Sequence, residues 1–381
     1  MKQVFRKLTV FLLVLAIVLS MLPAVFAVVG TLKPNSGTRD QVCTELSAKA
    51  QSYYTGTYSY ENLSALAGAS DTSTSYNAAQ NNPLYTALNK LMTVTHTNQN
   101  VRYDGYAANS LATYWTQTDT ENSASTYLFF YTDILADDPS VSSLQMQREH
   151  VWPKSRASYY QKGGGSDLHH LRPSIGGVNG SKSNNAFANL NGAGKAYQVN
   201  GRDVIWTGTK DGVGGVLEVR DNVKGDVARI LLYVYVRWQQ PNLYSDVAAD
   251  LLPEMDPDDS QNTGGRAIES LSTLLQWMQK DPVDTWEMSR NDQTENVQGN
   301  RNVFIDYPEL AYLMFNWPIP KMQTPSGKAM GDEPTTAPTE PTTAPTEPTT
   351  APTEPTTAPT DRRPLPPSPR RSLPRRAMNM P

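Results

Sequence analysis

Three of the four histidines in the chain lie within 21 residues of one another, at His150, His169 and His170. Histidine is the only side chain whose unperturbed pKa lets it gain and lose protons near neutral pH. Glu149 and Asp167 lie beside these histidines and could hold a cation or orient an imidazole ring. The combination indicates a site where a base takes a proton from water next to a bound cation, which is the chemistry of hydrolysis.

Apolar and extended-chain residues around the histidines predict two short strands. The first contains Glu149 and His150 and ends at Pro153. Neighbouring side chains of a strand point to opposite faces, so Glu149 could reach a metal ion while His150 addresses a water molecule. The second strand is predicted over 167–171 and ends at Pro173. The first strand would therefore carry both a metal ligand and a base.

Beyond the second strand, glycines flank Asn179 in the segment 176–180. We expect a turn at Asn179, and Ser181 is the expected N-cap of a helix over 181–190. The predicted order is strand, loop, strand and helix, with an acid and a histidine on the first strand. That order is typical of ββα-metal, or His-Me finger, sites. The hard oxygens of Glu149 and Asn179, completed by waters, suit Mg²⁺ better than zinc.

Several motifs in the chain are too long to be explained by chance. REHVWP, DLHHLRPSIGGVN and SKSNNAF lie in the central stretch, and KDPVDTWEMSRND (280–292) and VQGNRNVFIDYPEL (297–310) lie downstream. These motifs resemble those of the bacterial endonuclease I family of secreted or periplasmic nucleases, over about 147–310. The resemblance implies non-specific cleavage of DNA, and often of RNA, that leaves 5′-phosphates.

The resemblance also implies a role for each site residue. His150 would be the general base, and Glu149 and Asn179 would be ligands of one Mg²⁺, which Mn²⁺ or Ca²⁺ could replace in binding. Three further residues are expected to orient the site: Asp167, His169 and His170.

The cation that would stabilise the cleaved phosphate has three candidates. Family members place an arginine in the loop between the two strands, whereas the corresponding loop here, 155–166, is shorter. Arg156 and Lys162 lie in this loop, and Arg172 lies on the second strand. The choice among the three stays open at this point.

The central stretch is also locally basic. Residues 148–182 include six basic and two acidic residues, in a chain whose formal net charge is -4. Local positive charge attracts a polyanionic substrate, although an ordinary solvated surface would look the same in the sequence. Three lysines of this stretch are expected to bind substrate: Lys154, Lys162 and Lys182.

Composition divides the chain into four parts. Residues 1–27 have the basic start, apolar run and small residues near a cleavage site that are typical of a signal peptide, with an uncleaved anchor as the alternative. Residues 28–330 are predicted to form an α+β nuclease domain, mainly helical around a small ββα-metal core. Residues 331–361 repeat PTTAPTE and form a spacer, and 362–381 form a basic tail that cannot fold alone.

These parts predict a secreted bacterial protein that acts as a monomer on DNA, with RNA as a second substrate left open. No stable membrane insertion is expected after signal removal, and the basic tail could contact the cell wall. The single cysteine, Cys43, excludes an intramolecular disulfide and a cysteine-based metal site. Family members often carry disulfides, so this chain departs from them.

Two other functions fit parts of the sequence. A secreted metallopeptidase is disfavoured because Glu149 and His150 lack the HExxH spacing that puts two histidines on one helical face. A wall- or carbohydrate-binding protein fits the seven tryptophans, the nineteen tyrosines and the Thr/Pro spacer. That second alternative leaves the clustered histidines unexplained.

Apolar periodicity predicts the remaining elements. Helices are predicted over 41–54, 82–92, 226–238, 265–279 and 308–315, and strands over 203–206 and 215–219. The tyrosine-rich segments 100–114 and 126–134 are predicted to be strands or irregular structure.

Overall fold

The fold is taken from a computed structural model of the chain. The structure describes residues 34–67, 82–99, 101–103, 111–124, 126–136, 146–156, 164–210, 213–239 and 271–328. These residues belong to one structural unit, Met1–Thr335, and a second unit, Thr336–Pro381, lies outside them. The predicted signal peptide, the spacer, the tail and Lys162 also lie outside the described residues, and Arg156 is described in its backbone alone.

The described residues form both helices and strands, as the predicted α+β class requires. The helices are α1 (Ala48–Tyr53), α2 (Tyr60–Ser64), α3 (Pro83–Val94), α4 (Leu111–Thr118), α5 (Gly176–Lys182), α6 (Asp221–Arg237), α7 (Leu271–Lys280), α8 (Thr285–Gln298), α9 (Val303–Asp306) and α10 (Glu309–Met314). The strands are β1 (Leu128–Phe129), β2 (Ile134–Leu135), β3 (Met146–His150), β4 (Leu171–Ile175), β5 (Ala186–Phe187), β6 (Lys195–Val199), β7 (Arg202–Lys210) and β8 (Val213–Val219).

The strands form three small sheets. β1 pairs with β2, and β3 pairs with β4, both antiparallel. The third sheet has the order β5-β8-β7-β6, in which β5 is parallel to β8 and the other pairs are antiparallel. α5 follows directly after β4 and packs against both β3 and β4. The segment therefore runs strand, strand, helix, in the predicted order.

α6 is the central helix of the core. Every residue over Val223–Arg237 is buried, and α3, α7 and α9 pack against this helix. Buried charged residues of this helix are paired with residues of other elements. For example, Arg229 Nε donates to Glu287 Oε1 of α8 at 2.8 Å. Gly225 allows a close approach, since a Cβ there would lie 2.0 Å from the Asp281 carbonyl oxygen. None of the helices that the structure describes is both long and apolar enough to cross a membrane.

Most helices with an apolar stripe lie where they were predicted. α3, α6 and α10 correspond to the helices at 82–92, 226–238 and 308–315, and α7 is the described part of the helix at 265–279. The two predicted strands lie inside β7 and β8. α3 also begins as expected, because Asn82 Oδ1 accepts a hydrogen bond from the Leu84 amide at 2.8 Å.

Two predictions near the N-terminus are wrong. Residues 41–47 are not helical, because α1 begins only after Ser47, whose hydroxyl accepts a hydrogen bond from the Ala50 amide. The end of the tyrosine-rich segment 100–114, predicted to be strand or irregular structure, instead belongs to the helix α4. There Trp115 is buried, and its Nε1 donates to the Leu171 carbonyl oxygen at 3.2 Å. A long-range contact of this kind leaves no local signal in the sequence.

The second strand of the central stretch lies four residues later than predicted. β4 covers Leu171–Ile175, and Pro173 lies within it, opposite Arg148. Residues 167–170 precede the strand and do not belong to it. Pro173 is compatible with this sheet because both strands of a two-stranded sheet are edge strands. Its carbonyl oxygen also accepts a hydrogen bond from the Phe130 amide at 3.0 Å.

The helix after β4 begins earlier than predicted. α5 covers Gly176–Lys182, so Asn179 lies inside the helix, and Ser181 is not its N-cap. On propensity alone the glycines favour a turn, but Gly177 is needed for packing. A Cβ at Gly177 would lie 1.9 Å from the hydroxyl of Tyr197 in β6. Tertiary packing therefore overrides the low helix propensity of glycine.

α8 was missed because its buried face is polar. Arg290, Asn291 and Thr294 are all buried in this helix. Arg290 donates to both carboxylate oxygens of Asp119, each at 3.0 Å. Apolar periodicity cannot reveal a helix that is held by ion pairs and hydrogen bonds.

Candidate active site

A cleft of about 500 Å³ lies where β3, the turn after it and α5 meet. Its chemically active lining residues are Arg148, Glu149, His150, Lys154, Asn179 and Lys182. The structure therefore brings the predicted base and both predicted metal ligands to one cleft. Antiparallel pairing of β3 with β4 fixes the strand, and α5, which follows β4, supplies Asn179 and Lys182.

Glu149 is 1% exposed and held through one of its two carboxylate oxygens. Oε1 accepts a hydrogen bond from the Tyr131 hydroxyl at 2.9 Å and lies 2.8 Å from Lys182 Nζ. Burial raises the pKa of Glu149, and the ammonium of Lys182 opposes that rise. Among the described residues no partner contacts Oε2, so this oxygen is available to a cation in the cleft.

Asn179 is oriented by a contact with the first strand. Its Nδ2 donates to Gln147 Oε1 at 2.8 Å. An amide whose nitrogen is used in this way presents its carbonyl oxygen on the other side. The carboxylate oxygen of Glu149 and this amide oxygen are both hard ligands, and Mg²⁺ is commonly held by one or two protein oxygens together with waters. The two residues fit a hard divalent cation.

His150 lies on the other face of β3 from Glu149, as strand alternation predicts. Its ring stacks on Tyr103, with centroids 5.8 Å apart and an interplanar angle of 27°, and its centroid is 5.7 Å from that of His170. Burial, together with the charges of His170 and Lys182, lowers the pKa of His150 to about 3, against a main-chain hydrogen bond at Gly165. The imidazole is therefore neutral at pH 7 and able to accept a proton.

The three residues predicted to orient the site are buried close together in sequence. Asp167 Oδ2 accepts hydrogen bonds from the Tyr233 hydroxyl at 2.7 Å and from Trp238 Nε1 at 2.9 Å. His169 Nε2 is 3.0 Å from the Asn300 carbonyl oxygen. These contacts join the segment before β4 to α6 and to the residues after α8. His170, through its ring contact with His150, is the one member of this set that the structure connects directly to the predicted base.

We expect His169 to make the fold sensitive to acid. Burial lowers the pKa of His169 from 6.5 to about 3, so between these values the unfolded chain binds a proton that the folded chain does not. The contribution of His169 to the free energy of unfolding is therefore complete above pH 6.5. It decreases as the pH drops, by about 3 kcal/mol at pH 4. Urea unfolding of wild type and His169→Gln from pH 7 to pH 4 measures this difference. An equally steep pH dependence in the variant would contradict the assignment.

Arg172 does not reach the cleft. It is 1% exposed, Nη1 donates to Asp119 Oδ1 at 2.9 Å, and the guanidinium lies over the rings of Phe130 and Trp286. An arginine paired in this way is not placed to contact a phosphate in the cleft, and its role at the cleaved phosphate stays a prediction. Arg172 lies opposite Glu149 in the sheet, and a carboxylate distant in sequence, that of Asp119, neutralises it in the core.

The three lysines expected to bind substrate have different surroundings. Lys154 is exposed and lines the cleft. Lys182 lines the cleft but is 1% exposed, and its Nζ contacts Glu149 and donates to the His150 carbonyl oxygen at 2.8 Å. An ammonium held in this way supports the site and is not placed to bind phosphate. Lys162 lies outside the described residues.

Three residues near the cleft were not predicted as part of the site. Tyr131 holds Glu149, and Tyr103 contacts both Arg148 and His150. The tyrosines lie in segments without a motif, so the sequence offered no signal for them. Arg148 did offer one, because a residue two positions before His150 on a strand shares its face.

A second group of carboxylates lies in the core. Ligand oxygens of Asp226, Asp284 and Glu287, all buried, lie within 4.8 Å of one another. Arg229 forms ion pairs with Glu287 and Asp226, and Arg39 forms one with Asp226 at 3.3 Å. Because two guanidinium groups already supply positive charge there, we assign this group to the packing of the fold.

Comparison with known proteins shows that the chain is similar to nucleases. The family model described as Endonuclease I matches residues 80–309. An extracellular ribonuclease of Bacillus amyloliquefaciens is 39% identical over 166 residues, 43% of this chain and 52% of that protein. An extracellular ribonuclease of Bacillus subtilis (strain 168) is 30% identical over 308 residues, 76% of this chain and 95% of that protein. An extracellular deoxyribonuclease of Aeromonas hydrophila is 29% identical over 141 residues, 37% of this chain and 48% of that protein.

The chain thus spans about half the length of the first and third relatives and nearly all of the second.

Proposed function

The chain belongs to the endonuclease I family of hydrolytic nucleases, and from this premise we propose that it is a secreted, metal-dependent endonuclease acting on DNA and RNA. The observation that carries the proposal is the single cleft lined by Glu149, His150 and Asn179. The carbohydrate-binding alternative is not favoured, because it assigns no role to these residues. The names of the relatives, extracellular and periplasmic, support an extracytoplasmic location.

In this proposal β3, β4 and α5 form the ββα-metal core of the enzyme. Glu149, through Oε2, and Asn179, through its amide oxygen, would hold one Mg²⁺ together with waters. When bound, the ion supplies positive charge to the phosphate and to the leaving oxygen. Lys182 and Tyr131 keep Glu149 in place through Oε1.

His150 is the proposed general base. Its neutral imidazole takes a proton from a water molecule, and the water oxygen forms a bond to phosphorus as the bond to the 3′-oxygen breaks. A solvent proton goes to the leaving 3′-oxygen, so the products carry a 5′-phosphate and a 3′-hydroxyl. The low pKa of His150 in the absence of substrate does not prevent this step, because a phosphate beside the imidazole ring favours the protonated form of the ring.

The same chemistry accounts for a broad substrate range. Because water is the nucleophile, the reaction does not need the 2′-hydroxyl that distinguishes RNA from DNA. RNA cleaved in this way ends in a 5′-phosphate and carries no 2′,3′-cyclic phosphate. The relatives named above include both ribonucleases and deoxyribonucleases, which supports activity on both polymers.

A cleavage assay with matched polymers tests the function. We expect purified protein with Mg²⁺ to nick supercoiled plasmid and to cut single-stranded DNA and RNA of one sequence, with a chelator stopping all three reactions. RNA fragments should be substrates for a 5′-phosphate-dependent ligase or exonuclease without prior treatment. Intact plasmid and RNA after incubation with Mg²⁺ would reject the function, and cyclic phosphate ends would reject water as the nucleophile.

A further inference from the structure

We propose that Arg148 is the cation that contacts the scissile phosphate, and that Tyr103 is a positioning residue that orients both Arg148 and His150. The proposal rests on the nuclease function proposed above. It assigns the phosphate-stabilising cation, which the sequence left open, to a residue on the same strand as the base.

Two of the other candidate cations that the structure describes are already engaged. Arg172 is paired with Asp119 in the core, and the ammonium of Lys182 is bound to Glu149. Arg148 lines the cleft and is half-buried. Within the described part of the chain, no carboxylate forms an ion pair with it. A guanidinium held at a cleft without a counter-charge is suited to bind an anion.

Tyr103 accounts for the position of Arg148. The guanidinium carbon lies 4.5 Å from the centroid of the Tyr103 ring, and the His150 ring stacks on the same tyrosine. Tyr103 is in turn packed against a buried apolar cluster that includes Trp115 and Leu168. One anchored ring therefore contacts both the proposed base and the proposed phosphate ligand.

The contact with Tyr103 leaves the N–H groups of Arg148 available to a phosphate. Stacking on an aromatic ring uses the face of the guanidinium, whereas its N–H donors lie in the plane and can bind two phosphate oxygens at once. Strand alternation puts Arg148 and His150 on one face of β3, with Cα atoms about 7 Å apart. The guanidinium of Arg148 could then contact one side of a phosphate bound between the two residues, while His150 deprotonates a water molecule on the other side.

The contact should strengthen as the reaction proceeds. Negative charge grows on the leaving oxygen and persists on the non-bridging oxygens, and a fixed guanidinium stabilises it more in the transition state than in the bound substrate. Arg148 exchanges no atom with the substrate. Its loss should therefore reduce kcat as well as affinity.

The test compares two substitutions of Arg148 with one at Arg202, an exposed arginine at the start of β7. We expect Arg148→Met to lower kcat about 100-fold and to weaken binding about 10-fold. With chelator present to prevent cleavage, the slope of log affinity against log salt on duplex DNA should flatten by about 0.9. Arg148→Lys should keep the wild-type slope, since the charge remains, but not kcat, since the fork is lost. Arg202→Met should leave both values unchanged.

Two substitutions test the positioning role of Tyr103. Tyr103→Phe keeps the ring, so its kcat should match wild type. Tyr103→Leu removes the ring, so kcat should fall about 10-fold as two oriented groups loosen, while the salt slope stays that of wild type. Circular dichroism and thermal unfolding identify any variant that is not folded.

The outcomes separate this inference from the function it rests on. If wild type does not cleave, the proposed function fails. If wild type cleaves and Arg148→Met behaves like Arg202→Met, or Arg148→Lys is fully active, Arg148 is not the phosphate cation. If folded Tyr103→Leu keeps the wild-type kcat, or Tyr103→Phe loses it, the positioning role is overturned.

Discussion

Replacing His150 by alanine should lower the rate of phosphodiester cleavage by about a hundred- to ten-thousand-fold, the usual contribution of a general base. The imidazole is the proposed acceptor of the proton from water, and alanine leaves no group in its place. Nucleic-acid affinity should stay close to that of wild type, because the side chain is neutral at pH 7 and does not attract phosphate by its charge. The effect should therefore fall on kcat and not on binding.

Single-turnover cleavage at saturating substrate, together with binding in the presence of chelator, separates these two quantities. His96 offers a control outside the cleft, because it is a buried histidine with Nδ1 3.1 Å from Arg237 Nη2 and its ring against Trp238. His96→Gln should alter thermal stability and leave the cleavage rate of the folded protein unchanged. If His150→Ala cleaves at the wild-type rate, His150 is not the base.

The cleft was predictable from the sequence because its chemistry lies in short local motifs. Glu149 and His150 are neighbours, so any extended backbone gives their side chains different faces and different partners. Asn179 lies in the first turn of the helix that directly follows β4. The exact boundaries were less predictable: glycines at 176 and 177 favour a turn, yet both lie in a helix, and the close approach of Tyr197 to Gly177 is a tertiary contact that the sequence does not reveal.

Contacts between distant residues set the limit of prediction from sequence. Arg172 looks like a free cation until Asp119, 53 positions away, is seen to pair with it. Lys182 counts as a basic residue of the surface until its burial against Glu149 is known. The sequence gives the sign of the charge on a side chain but not its partner. The partner decides whether the side chain faces the solvent or the core.

The helices show the same limit. α6 and α7 were found because their apolar residues recur at helical spacing, whereas α8 buries Arg290 and Asn291 and offers no stripe. Its buried residues are paired with atoms from other parts of the chain, such as the carboxylate of Asp119. A helix whose stability comes from such pairs can be recognised only when those partners are in view.

Replacing Glu149 by glutamine should abolish metal binding and cleavage together. Glutamine keeps the size of the side chain and can still contact Tyr131, but it removes the negative charge that holds a divalent cation. The substitution also leaves the ammonium of Lys182 buried without its counter-charge. Breaking a buried ion pair from one side costs about 3–5 kcal/mol, so the single variant could lose activity by unfolding.

A double variant, Glu149→Gln with Lys182→Met, removes this ambiguity. Replacing both members of a buried pair by uncharged groups of similar volume is often close to neutral for stability. We expect the double variant to unfold at a temperature near that of wild type. Its Glu149 position nevertheless lacks a carboxylate, so it should be inactive although folded.

The proposed mechanism requires this cleft to bind the cation on which cleavage depends. Electron paramagnetic resonance of Mn²⁺, titrated into wild type and into the folded double variant, tests it most directly when each sample is also assayed for Mg²⁺-dependent plasmid nicking. We expect a saturable Mn²⁺ site in wild type, no such site in the double variant, and nicking by wild type alone. A double variant that binds Mn²⁺ as wild type does, or nicks plasmid at the wild-type rate, would contradict it.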